Sequence, residues 1–145
     1  MSVRSGDRKE GKISAVNAAR LLVEYTYDRV HSKTLPKSDR WLMSKSIWDD
    51  ANMARSKLIR GNSIRVESKD EANERLLLLK ESIGHIDSLC ANIDVLHIKG
   101  IITDERAAYW TKLATDTQNL TKAMLKANRR DYKKFFEVTE KEKYQ

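Results

Sequence analysis

Residues 68–100, SKDEANERLLLLKESIGHIDSLCANIDVLHIKG, decide the fold. Ser68 followed by Glu71 is a capping-box pattern, in which a hydroxyl and a carboxylate satisfy the first free N–H groups of a helix. Behind it Ala72, Leu76, Leu79, Ile83, Ile86, Cys90, Ile93 and His97 recur at alternating steps of four and three. That spacing keeps side chains on one helical stripe. Leu78, Leu89, Leu96 and Ile98 flank the stripe, and a face that broad needs more than one neighbour to cover it. Gly100 marks the stop, because a residue without a Cβ turns most easily into the left-handed conformation past a helix end. The spacing predicts a helix over 69–98.

Toward the N-terminus lies LPKSDRWLMSKSIWDDANMARSKLIRG, residues 35–61. Pro36, the chain's one proline, breaks any helix before it and pushes Leu35 to an extended conformation. Ser38 suits an N-cap, with Asp39 in the favourable first turn. Trp41, Ser44, Trp48, Ala51, Arg55 and Leu58 then form one row, and Ile47, Ala51, Ala54 and Leu58 a second. A helix is expected over 38–60, with Gly61 as its stop. Trp41 and Trp48 read as core or interface residues. An earlier helix over 14–32 starts at a Ser14 cap and carries Val16, Ala19, Val23, Thr26 and Val30, widened by Leu22 and Tyr27. A last one over 104–127 starts at Thr103 and carries Trp110, Leu113, Thr117, Leu120, Met124 and Ala127.

Residues 1–12 read as a disordered basic arm carrying Arg4, Arg8, Lys9 and Lys12. Residues 131–145 read as a basic, partly frayed tail. Between them, 13–130 form one unit of four helices joined by short connections, which forces consecutive helices antiparallel. The expected fold is all-α, an up-down-up-down four-helix bundle.

The 145 residues are one domain's worth of chain, and five glycines and one proline are few turn formers for a β protein. A formal charge of +7 favours polyanionic partners. One cysteine, Cys90, excludes an internal disulfide and a cysteine-based zinc site, and reads as a small core residue. No apolar run reaches the length of a membrane span, and the N-terminus has no secretory pattern, so the expectation is a cytoplasmic protein with no membrane partner.

Enzyme signatures are missing from the sequence. Asp94 and His97 are the nearest approach to a di-iron Glu-x-x-His pair, without a second copy. His85 one turn after Glu81 reads as an exposed ion pair, and His31 as a helix-end cation. There is no phosphate-binding glycine loop and no nucleophile elbow. The expectation is a non-enzymatic protein without cofactor, metal or small-molecule substrate.

The bundle topology brings the start of the first helix, the end of the second, the start of the third and the end of the fourth to one pole. Arg55, Lys57, Arg60, Arg65, Arg129, Arg130, Lys133 and Lys134 gather there, with Asp70, Glu71 and Glu74 partly neutralising them. Two accounts are open. Basic residues at helix C-termini satisfy the macrodipole without any partner. They also suit a phosphate backbone, with Tyr132, Phe135 and Phe136 available for stacking or protein docking.

The order of features resembles one four-helix-bundle family. It contains the proteins encoded in 23S rRNA intervening sequences and the accessory variability determinant proteins of diversity-generating retroelements. The resemblance rests on Leu35-Pro36-Lys37-Ser38-Asp39-Arg40, the Ala-rich second helix, the Leu-rich third helix, the Gly100–Glu105 turn and the fourth helix. Lys57-Leu58-Ile59-Arg60-Gly61 departs from the Asn-(Ile or Val)-Ala-Glu-Gly ending of the intervening-sequence branch. With Asn128-Arg129-Arg130 it is more similar to the retroelement branch. That resemblance implies a ring-like homopentamer whose basic surface binds a reverse transcriptase and its template RNA, or the cDNA. Two other readings are an intervening-sequence protein of ribosomal context and a structural scaffold for a protein partner.

Overall fold

The computed structural model describes residues 13–32, 35 and 40–137. Four α-helices account for most of them: α1 (Ala15–Val30), α2 (Lys45–Asn62), α3 (Lys69–Ile98) and α4 (Asp104–Asp131). A π-helical turn, Arg40–Ser44, leads into α2, and a short 3₁₀ turn, Lys133–Phe135, follows α4. The basic arm over 1–12, the motif residues Pro36, Lys37, Ser38 and Asp39, and the last eight residues of the tail lie outside the described residues. Arg40 and Trp41 fall in the π-helical turn, with side chains outside the description.

Local chemistry explains the boundaries. Ser14, Ser68 and Thr103 are extended residues whose hydroxyls accept from Asn17, Glu71 and Arg106 N–H respectively, so three of the four helices start on a side-chain cap. In the box at Ser68 the Glu71 carboxylate accepts from the Glu67 N–H at 2.8 Å. At the end of α3, Gly100 has φ of +74°. Gly100 N–H bonds to His97 O and Ile101 N–H to Leu96 O, both at 2.9 Å. This is the Schellman pattern, with Ile101 and Leu96 packed into the same core.

Each helix packs on its sequence neighbours, α1 closes the square against α4, and α1 and α3 face across the diagonal. Cross-helix bonds fix the directions. On α2 and α3, Ser46 meets Asn92, Asp50 meets His85, and Lys57 meets Glu81. On α3 and α4, Ile83 O meets Gln118, and Arg75 meets Asn128. Both pairs run antiparallel, as the connections required.

Buried side chains form two apolar clusters. The larger holds Leu22, Ile47, Ile86, Leu89, Leu96 and Trp110 with their neighbours. The smaller holds Ala15, Ala19, Leu58, Leu76, Leu79 and Leu125. The buried polar residues Thr26, Ser82, Thr117, Thr121 and Asn128 accompany them, each with a hydrogen-bond partner. Trp110 Nε1 donates to Thr26 Oγ1 at 2.9 Å, and Ser82 Oγ donates to Ala54 O at 2.7 Å. Thr117 and Thr121 donate to the carbonyls one turn back.

Four details differ from the sequence reading. The α-helix expected from residue 38 begins at Lys45, after the π-helical turn. Gly61 is not a stop: α2 runs on to Asn62, and Gly61 is buried where a Cβ would meet Leu78 Cβ at 3.2 Å and Arg75 O at 3.4 Å. Its role is close helix approach. The buried line of α4 is Ala107, Trp110, Ala114, Thr117, Thr121, Leu125 and Asn128, turned from the expected row so that Leu113, Leu120 and Met124 become half-buried flanks. α1 is turned likewise: Ala15, Ala18 and Ala19 are buried, whereas Tyr27 is exposed. Small residues occupy the lines of closest approach, and larger ones fill the margins.

Replacing Thr26 with Val should cost about 1–3 kcal/mol, because the buried indole N–H loses its acceptor. Gly84→Ala, where an added Cβ meets nothing within 4 Å, should instead stabilise by roughly 0.5–1 kcal/mol through helix propensity. Urea unfolding followed by circular dichroism reads both, and the two shifts should have opposite signs.

Candidate nucleic-acid interface

The end of the bundle where α2 and α4 finish and α3 begins is held together by Arg75. Its Nε donates to Asn128 Oδ1 at 2.7 Å, and its Nη1 donates to Asn62 O and Ile64 O at 3.3 and 3.2 Å. The guanidinium also lies over the Tyr132 ring, 6.0 Å from its centroid. One side chain thus joins the α2–α3 connection, α3 and the end of α4. The planar fork of arginine suits such divergent acceptors. Phe136 folds back and packs against the smaller core cluster. Tyr132 and Phe136 are thus engaged within the protein.

On this frame Arg60, Arg65, Arg129, Arg130, Lys133 and Lys134 are exposed. Arg130 sits 3.7 Å from its neighbour Asp131 on open surface, a pair of small energetic weight. Lys134 Nζ lies 5.3 Å from the Phe135 ring centroid. The structure brings these six together and leaves their charges facing solvent.

Arg55 and Lys57 behave differently. Lys57 is mostly buried and donates to Glu81 Oε1 on α3 at 2.8 Å. That bond, with the lysine's charge, holds the Glu81 carboxyl below its ordinary value of 4.5 against a smaller opposing effect of burial. Arg55 is half-buried, with its Nε shielded from solvent and without a hydrogen-bond partner among the described residues. Neither presents its charge as the exposed six do.

Two further lysines extend the surface. Lys122 and Lys126 are exposed and, with Arg129, recur on α4 at steps of four and three, the spacing of a helical stripe; Lys133 follows in the 3₁₀ turn. From Lys122 to Arg129 the stripe spans roughly 10 Å at 1.5 Å per residue, comparable with about three phosphates of one strand at 3.4 Å. The spacing rule that finds apolar stripes also finds this basic one, whereas the charges at helix termini alone do not reveal it.

The two halves of the bundle differ in sign. Residues 13–22, 53–82 and 117–137 carry fourteen Lys and Arg against seven Asp and Glu; residues 23–32, 40–52 and 83–116 carry six against nine. A polyanion approaching this molecule is drawn to one end.

The side chains that suggested chemistry have structural partners. His85 does not pair with Glu81; its Nδ1 meets Asp50 Oδ1 at 3.1 Å, while Ser88 Oγ donates to Asp50 Oδ2 at 2.7 Å. Serine and imidazole meet one carboxylate and not each other, tying α3 to α2. His97 Nε2 lies 2.6 Å from Asp104 Oδ1. His31 Nδ1 lies 2.9 Å from Tyr27 O at the end of α1. Burial, with a smaller contribution from Asp87, pushes the Cys90 thiol up, and its sulfur packs against the larger cluster. Among the described residues no group of three His, Cys, Asp or Glu could hold a metal ion, and no helix is long and apolar enough to cross a membrane.

The Glu81 shift has a pH consequence. Its folded carboxyl titrates below the unfolded value, so the pair contributes stability above about pH 4.5 and loses it as pH falls through the folded value. Glu81→Gln should therefore lower the melting temperature near neutrality and converge on the parent in acid. Parallel melting curves from neutral to acid pH would exclude the pair as a source of acid sensitivity.

No protein-family model matches the chain, and no curated protein matches it.

Proposed function

We propose that this protein is a non-enzymatic accessory subunit of a diversity-generating retroelement. In this reading it binds template RNA or cDNA through its basic end and assists a reverse transcriptase in mutagenic synthesis. The observation that carries the nucleic-acid part is the convergence of Arg60, Arg65, Arg129, Arg130, Lys133 and Lys134, all exposed, on a frame fixed by Arg75. Lysines and arginines arranged along a backbone release counterions from phosphates, which gives affinity without base readout. The reverse transcriptase and the retroelement context come from the resemblance around Leu35–Arg40 and along the helices.

Self-association belongs to the same proposal. The outer face of α3 presents Leu77, Val95 and Ile98 with exposures of 54%, 42% and 74%, and Gly84 and Ala91 lie between them on the same side. A helix that is apolar on its solvent side as well as its core side suits a further partner. Repetition of one basic end in a ring would multiply weak phosphate contacts by avidity. The same stripe also favours the second reading, a scaffold that holds a protein partner without touching nucleic acid.

Reversing Lys122, Lys126, Arg129 and Arg130 to Glu should weaken binding to a single-stranded RNA by at least about tenfold. It should also flatten the salt dependence, by roughly 0.7 in log–log slope for each phosphate no longer neutralised. Helical circular dichroism should stay unchanged, and Arg55→Gln should have a small effect. A parent protein that passes through heparin at low salt and gives no salt-dependent RNA shift would support the scaffold instead.

A further inference from the structure

A groove between α1 and α2 has the opposite chemistry to the basic end. It is open, about 450 Å³ in volume, and lined by Val23, Glu24, Tyr27, Asp28 and Trp48. Trp48 is half-buried and stands edge-to-face with Tyr27, their ring centroids 5.9 Å apart at 72°. Tyr27 is 51% exposed and carries the His31 ring stacked at 4.1 Å. Along the rim, Glu24 and Asp28 sit one helical turn apart. Glu24 shares its charge with Arg20 at 3.0 Å. Asp28 has no hydrogen bond or ion pair among the described residues.

From this geometry we infer that the groove takes an arginine or lysine side chain presented by a basic segment of a protein partner. An aromatic face attracts a cation through its quadrupole, and the effect grows where solvent is partly displaced. Val23 and Trp48 supply apolar surface for the aliphatic stem of such a side chain. The Asp28 carboxylate accepts from the charged head at the open rim, and charge-assisted bonds of this kind exceed neutral ones. Two carboxylates beside the rings disfavour phosphate, which separates this groove from the basic end. It also lies in the half of the molecule where acids outnumber bases, nine to six among the described residues. The site does not rest on the nucleic-acid reading, because it uses different residues at a different end.

The test uses the full chain labelled with ¹⁵N at tryptophan, with the Trp48 indole resonance assigned by Trp48→Phe. The probe is an acetylated and amidated peptide with two arginines spaced four residues apart; the control carries glutamate at both positions. The expected result is a saturable shift of the Trp48 indole with the arginine peptide in the millimolar range, and none with the control. Asp28→Asn should weaken binding by roughly fivefold, the equivalent of about 1 kcal/mol for an exposed charge pair. The charge-reversed α4 variant should bind the peptide as the parent does, so loss of RNA affinity there leaves this result standing. The proposal is overturned if Trp48 does not respond, if both peptides act alike, or if Asp28→Asn has no effect. It is also overturned if Arg4→Gln with Arg8→Gln moves the Trp48 resonance while added peptide does not, which would place the chain's own basic segment in the groove.

Discussion

The width of the apolar face on α3 is the constraint from which the architecture follows. Ala72, Leu76, Leu79, Ile86 and Ile93 form one buried line, and Leu78, Ser82, Leu89 and Leu96 a second. Lines so placed cannot be covered by a single helix, so α2 lies on one side and α4 on the other. Burying a leucine or isoleucine contributes about 1.5–3 kcal/mol, and eight of these nine residues are apolar. The helix that owns both lines therefore sets where its neighbours go. α1 has the remaining place on the diagonal, and its alanines at 15, 18 and 19 suit the narrow space between α2 and α4.

That arrangement has an electrostatic result no single helix encodes. Antiparallel packing carries the basic end of α2 to the basic end of α4, although the two are separated by the whole of α3 in sequence. Like charges brought together repel, and the repulsion is tolerable here because the side chains reach into solvent and salt screens them. The backbone beneath is fixed by neutral acceptors, Asn128, Asn62 O and Ile64 O, all on Arg75. One arginine holds the frame, and of its exposed basic neighbours only Arg130 has an ion-pair partner among the described residues, Asp131 at 3.7 Å.

Much of this is legible in the sequence, and what is not has identifiable causes. Caps at Ser14, Ser68 and Thr103 and the stop at Gly100 depend on residues within four positions, so the local sequence suffices for them. The line on α3 is legible because period and burial agree over thirty residues. Gly61 misleads because a glycine that ends a helix and one that lets two helices touch look alike until the facing Leu78 is known. Lys57 looks like a surface cation because its partner Glu81 is twenty-four positions away. For the same reason Glu81 seems matched to His85 on its own helix, whereas both look across to α2. Trp48 reads as a core or interface residue and occupies a half-buried margin, while Trp110 is fully buried. Stripe position on α1 and α4 is off by a fraction of a turn, because hydrophobicity marks the large residues and close packing selects the small ones.

The buried hydroxyls explain why such a core tolerates polarity and what it gains. A threonine that bonds the carbonyl one turn back, as Thr117 and Thr121 do, is satisfied within its own helix and constrains no neighbour. Thr26 and Ser82 differ, because their bonds cross from one helix to another. A slip of α4 against α1 by one turn would leave the Trp110 N–H buried without an acceptor, and a slip of α3 against α2 would do the same to Ser82. Leucines alone would resist such slips weakly, since one apolar contact replaces another at little cost. With the Arg75–Asn128 and Gln118–Ile83 O bonds between α3 and α4, the Thr26 and Ser82 bonds link α1 to α4, α4 to α3 and α3 to α2, so a slip of register within any of those pairs breaks at least one. The basic end and the aromatic groove both depend on that register, because each is assembled from side chains on different helices.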